Sequence, residues 1–194
     1  MNRKISVMIY AAAVAFSLGA KTNYVDCALS DYTGHDGTTW AKAFKTIQEA
    51  VDAAAAGDTI LVNPGLYNEG GGNYKRADKD VYTGNTRVGV FDKPNLYIKS
   101  TGGKNETFIV GARAGTDTGV GVGACRCVTL YNSNGTIIEG FTLTNGSTVA
   151  ESPTGSGYEI ECGGFYSCNT QVAVYLVDSD RSEERRVGKE CHGV

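Results

Sequence analysis

The chain has 194 residues, with 18 Lys and Arg against 21 Asp and Glu and a formal net charge of -3. That near balance excludes a broad basic face of the kind that holds nucleic acid through its phosphates. Hydrophobic residues at 41% are enough for one core and too many for a disordered chain, while 26 Gly and 11 Tyr against 2 Met and 1 Trp favour short strands and turns over long helices.

Residues 1–20 place Arg3 and Lys4 before an apolar run from Ile5 to Phe16, followed by small residues. This is the layout of a bacterial-type export signal, and it is too short to span a membrane. Cleavage guided by Ala15 and Ser17, or by Ser17 and Gly19, would release a protein that is secreted or held at the cell surface. Without the signal and the charged tail described below, residues 21–180 carry 12 basic and 18 acidic side chains and five cysteines.

Tyr24-Val25-Asp26 reads as a short strand, and the polar stretch after it as a loop. Trp40, Ala43, Phe44, Ile47, Ala50, Val51 and Ala54 recur at intervals of three and four, which predicts one amphipathic helix starting near Trp40 with Thr38 or Thr39 as its cap. Gly57 ends it, Thr59 to Val62 reads as a strand, and Pro64-Gly65 closes that strand. From Asn68 to Val88 Gly, Asn and charged residues follow no period, so a long surface loop is expected.

Beyond it come short apolar segments bounded by Gly or Asn: residues 96–98, 107–110, 128–131, 136–138, 141–144 and 172–177. No single coil of such chain can bury its own apolar side, so a solenoid of stacked coils is predicted. The alternation changes phase at Glu139-Gly140, which places a bend between Ile138 and Phe141 within one coil. Asn134 and Asn145 fall at corners, where side-chain amides can stack in ladders or simply favour a turn. The closing stretch Arg181–Cys191, RSEERRVGKEC, is densely charged and without apolar period.

Taken together, Tyr24-Val25-Asp26, Asp36-Gly37, Trp40, Ala43-Phe44, Ile47-Gln48, Ala50-Val51, Gly57-Asp58-Thr59 and Pro64-Gly65 with Tyr67 resemble the amino-terminal module of secreted pectin-lyase-like proteins. The later segments NLYIKSTGG, NETFIVGA, RCVTLY, GTIIEGFTLTNG and CGGFYS are similar too. The resemblance covers about residues 24–178 and implies an all-β solenoid, a right-handed parallel β-helix whose one amino-terminal helix caps the open first coil. It implies a carbohydrate-associated protein with a polysaccharide or other glycan as partner, a lyase or hydrolase in full-length form; the alternative is a non-catalytic adhesin or structural repeat protein. Residues 181–191 resemble the translation of a sequencing-library adapter, so residues 181–194 are expected to be a non-native tail. The β-helix is then expected to be truncated at its C-terminus, uncapped, unstable alone and inactive.

No catalytic residue can be assigned. The late acids are Glu139, Glu151, Glu159, Glu161 and Asp178, with Arg113 and Arg126 as basic groups, and none falls in a motif. His35 beside Asp31 and Asp36 suggests a solvated turn or, less simply, a cation site, and calcium remains open for a full-length protein. Cys125 and Cys127 point to one strand face, where they are reduced and buried, bridged to Cys162 or Cys168 of a stacked coil, or part of a zinc site. Tyr74, Tyr82 and Tyr97 are candidate sugar platforms or packing residues.

Overall fold

The computed structural model describes residues 19–75, 82–117, 119–148, 163–168, 175–177 and 180–181. Most of the expected export signal and the tail after Arg181 lie outside the described residues. The strands in chain order are β1 (Thr22–Val25), β2 (Thr59–Val62), β3 (Gly65–Tyr67), β4 (Gly72–Lys75), β5 (Tyr82–Phe91), β6 (Tyr97–Ser100), β7 (Thr107–Val110), β8 (Cys125–Tyr131), β9 (Ile137–Glu139), β10 (Thr142–Thr144), β11 (Phe165–Cys168), β12 (Tyr175–Val177) and β13 (Asp180–Arg181). One helix, α1 (Ile47–Ala53), lies between β1 and β2.

The strands join into three sheets in the orders β1-β2-β6-β9-β12, β3-β7-β10-β13 and β4-β5-β8-β11. All pairings are parallel except the β4–β5 hairpin. Each of β2-β3-β5, β6-β7-β8 and β9-β10-β11 visits the three sheets in turn, so the chain winds a β-solenoid of three coils, in agreement with the fold class expected.

Alternation along each strand explains the winding. In the first sheet Ile60 pairs with Ile98 and Ile98 with Ile138, and all three are fully buried. Burying one such side chain is worth about 1.5–3 kcal/mol, and in-register stacking makes each depend on its neighbours. Tyr67, Ile109 and Leu143 stack on the second sheet, and Val88 with Val128 and Val90 with Leu130 on the third. The phase change falls where expected: Gly140 takes φ 79°, and Phe141 and Leu143 turn inward after Ile138.

Corners repeat as faithfully as strands. Between the third and first sheets, Asp92 (φ 54°) lies under Asn132 (φ 49°), and Asn132 Nδ2 donates to Asp92 Oδ1 at 2.8 Å. Two residues on, the Asn134 carbonyl accepts the Asn95 amide at 2.8 Å. Long segments collect at the opposite corner, between the second and third sheets, in every coil.

Two expectations change. The helix starts at Ile47 and not near Trp40, because the backbone before it is already committed: Phe44 N–H donates to Tyr24 O and Phe44 O accepts from Asp26 N–H, both at 2.9 Å. Residues 43–46 are therefore held extended along the free edge of β1, and Trp40–Lys42 forms only a 3-10 turn. Thr46 is the cap, with Thr46 Oγ1 accepting from Glu49 N–H and Glu49 Oε2 accepting from Thr46 N–H at 2.8 Å. The expected loop at 68–88 contains the β4–β5 hairpin, and β5 continues into full pairing with β8.

The helix acts as the cap that was expected. Gly89 N–H donates to Gln48 Oε1 at 2.6 Å and Gly89 O accepts from Gln48 Nε2 at 3.1 Å, so one carboxamide replaces the missing neighbour of β5. Lys93 Nζ donates to Val51 O and Asp52 O at the helix end, where the dipole favours a cation. No helix among the described residues is long and apolar enough to cross a membrane.

Replacing Gln48 by Ala is expected to cost about 1–3 kcal/mol, because buried Gly89 loses partners for both peptide groups. Urea unfolding measures this, and size-exclusion chromatography should show added self-association. Thr46→Ala should cost about 1 kcal/mol by the same unfolding measurement.

Candidate glycan-binding face

Every second residue of the first sheet points outward, which places Thr22, Tyr24, Thr59, Leu61, Tyr97, Lys99, Ile137 and Glu139 on one outer face, Thr22 exposed and the others half-buried. Register sets the rows: Tyr24, Leu61, Lys99 and Glu139 follow one another across the four strands β1, β2, β6 and β9, and Thr22, Thr59, Tyr97 and Ile137 run beside them. Parallel strands lie ~4.8 Å apart and outward residues of one strand ~6.6 Å apart, so the face is a regular grid.

Two groups of side chains stand on it. At the amino-terminal edge the Tyr24 and Trp40 rings meet edge to face with centroids 4.7 Å apart, and Trp40 is 37% exposed. Further along, Tyr97 donates its hydroxyl to Glu139 Oε2, while Lys99 Nζ lies 2.9 Å from Glu139 Oε1 and 5.8 Å from the Tyr97 ring centroid.

The network shifts each member away from neutrality as a proton carrier. Hydrogen bonds from Tyr97 and Lys99 hold the Glu139 carboxyl below the ordinary glutamate value. The Glu139 carboxylate raises the Tyr97 phenol and the Lys99 ammonium. Each charge in the network is thus held by its neighbours.

The third sheet presents a different surface. Successive amides of Cys127 and Val128 both donate to the next coil, to Gly163 O at 3.0 Å and Gly164 O at 3.1 Å, which marks a β-bulge. Arg126 is buried with its guanidinium carbon 5.2 Å from the Tyr166 ring centroid. Arg87 ties two coils at the long-loop corner, donating Nε–H to Val110 O and Nη1–H to Gly70 O, each at 2.8 Å. Arg113 lies against Gly119 at the same corner. Ser147 Oγ donates to Gly119 O at 2.6 Å and Gly121 N–H to Thr148 O at 3.1 Å, so loops of adjacent coils stack there.

The other residues singled out in the sequence are dispersed. His35 Nδ1 is 2.7 Å from Ala43 O, Asp31 accepts from Thr33 N–H, and Asp36 accepts from Thr38. Asp31 and Asp36 thus serve their own turns, while His35 ties the loop to the segment before the helix. Among the described residues no three His, Cys, Asp or Glu side chains come together to hold a metal ion.

Cys127 Sγ donates to Thr144 O at 3.2 Å, and burial pushes the Cys125 thiol up while Arg87 and Arg126 act against that shift. Cys168 pairs with Tyr131, about four residues or ~13 Å along the strand from the level of Cys127, which is beyond disulfide reach. Cys162, Glu151, Glu159, Glu161 and Asp178 lie outside the described residues, as do the side chains of Tyr74 and Tyr82. Of the named candidates, the structure brings Tyr97 and Glu139 together. Lys99, Trp40 and Tyr24 complete the face and were not marked as site residues; period-two alternation in Tyr97-Ile98-Lys99 was the available signal.

A family model described as "Protein of unknown function (DUF1565)" matches residues 32–162. No curated protein and no solved structure matches the chain.

The contribution of the network to stability is expected to depend on pH at both ends. Glu139 is lowered, so its share is present above the ordinary value of 4.5 and lost as pH falls through the lowered one. Tyr97 and Lys99 are raised, so their share is full below 10.0 and lost as pH rises through the raised values. Phenolate absorbance of the wild type minus that of Tyr97→Phe should titrate above 10.0, and Glu139→Gln should bring it back toward 10.0.

Proposed function

The chain belongs to the DUF1565 family, and from that premise we propose that it is an exported, carbohydrate-associated solenoid whose first coils hold a glycan. The observation that carries the reading is the outer face of the first sheet, where aromatic rings and a hydrogen-bonding carboxylate-phenol-ammonium group share a regular surface. Sugars have apolar CH faces that pack on aromatic rings and hydroxyls that need donors and acceptors, and this face offers both. Export is supported by Arg3 and Lys4 ahead of the apolar run Ile5 to Phe16.

Binding is the part we assign to the described residues of this face, where Glu139 stands with a phenol and an ammonium, whereas glycoside hydrolysis uses two carboxyl groups flanking the bond. A polysaccharide lyase or hydrolase in full-length form would use this face to position its substrate. A non-catalytic adhesin would use it as it stands.

Affinity electrophoresis of the full chain through gels containing soluble polysaccharides tests the reading. Retardation by at least one polysaccharide is expected. Tyr97→Ala should weaken it about tenfold, equivalent to ~1.4 kcal/mol. A folded protein that migrates identically in every gel would sink the proposal.

A further inference from the structure

We infer that the ligand of this face is a neutral, extended polysaccharide lying along the solenoid axis, with successive sugar units meeting successive coils. The inference rests on the glycan-binding reading above and adds the charge class, the direction and the anchoring residues.

Charge decides the class. A uronate polymer brings one negative charge per unit and would need a row of available cations. The described outward positions of the first sheet hold one cation and one anion, Lys99 and Glu139, and the two are paired at 2.9 Å. At the corner that leads into this sheet, Lys93 is taken up by Val51 O and Asp52 O at 2.5 and 2.9 Å, and the exposed Lys21 just before β1 adds one cation and not a row of them. The remaining positions are Thr22, Tyr24, Thr59, Leu61, Tyr97 and Ile137, which carry no charge at neutral pH.

Spacing decides the direction. One coil advances ~4.8 Å, close to the length of a pyranose unit in an extended glycan, so a chain laid along the axis keeps step with the coils. Along a single strand only two outward residues stand, ~6.6 Å apart, too short a run to meet more than a few units. The Tyr24–Trp40 pair stands at the first coil and Tyr97 two strands further on, ~10 Å along the axis. That separation places the two aromatic groups two sugar units apart. Tyr97 is held by Glu139 before any ligand arrives, which lowers the ordering cost of binding.

Isothermal titration with cellohexaose and mannohexaose as neutral probes, and hexagalacturonate as the charged one, tests this. A neutral hexasaccharide should bind with an affinity that barely changes between low and high salt, because no ion pair forms. Its affinity should exceed that of the matching disaccharide, fall about tenfold in each of Trp40→Ala and Tyr97→Ala, and fall less in Tyr97→Phe. Circular dichroism on each variant shows that the coils remain folded. Preferential, salt-sensitive binding of hexagalacturonate that Lys99→Ala removes would overturn the inference and leave the broader glycan reading standing. Neutral binding unaffected by both aromatic variants would also overturn it, since the site would then lie elsewhere. Binding of neither class by a folded protein would remove both readings.

Discussion

Every strand of a parallel solenoid needs a neighbour on each side, and the first coil has none on one side. The rest of the structure depends on how that edge is closed. Gly37 and Phe44, on either side of the Trp40–Lys42 turn, bond to the free edge of β1, where Tyr24 N–H donates to Gly37 O and Phe44 bonds Tyr24 and Asp26, and the Gln48 carboxamide completes Gly89 of β5. Unpaired peptide groups here would be both costly and an invitation to a second chain. With them paired, Val25, Ile47, Ala50 and Val51 are free to seal the end of the core beneath.

Closure at one end makes the coils behind it regular, and regularity creates the face on the first sheet. Ile60, Ile98 and Ile138 lock the register from inside, which fixes what stands opposite what on the outside. Lys99 faces Glu139 because Ile98 faces Ile138. The neutral, paired character of the surface is thus a consequence of core stacking as much as of surface composition.

Much of this was legible in the residues. Alternation in Thr59 to Val62, the turn signal Pro64-Gly65 and the phase change around Gly140 each depend on local sequence, and the structure has all three. The periodic run from Trp40 misled, because its first half satisfies an edge twenty residues earlier and a helical period cannot reveal a distant partner. The capping box Thr46-Ile47-Gln48-Glu49 was the local sign of the true start. β5 lay hidden because its Gly and Asn residues carry little strand propensity, and pairing with β8 supplies what propensity lacks. The contact between Tyr97 and Glu139 spans 42 residues, so only register, which no single segment encodes, could disclose it.

The cap at the amino-terminal end also gives the molecule a direction in time. Its residues are the first of the solenoid to become available, and each later strand pairs with one roughly forty residues earlier. Such contacts have modest loop-closure costs that do not grow as the solenoid lengthens. Assembly can then proceed like one-ended polymerisation, with the helix and the edge of β1 as the seed and each finished coil as the template for the next. In such a scheme a lesion in the first coil delays every coil, whereas a lesion further along spares those already laid down.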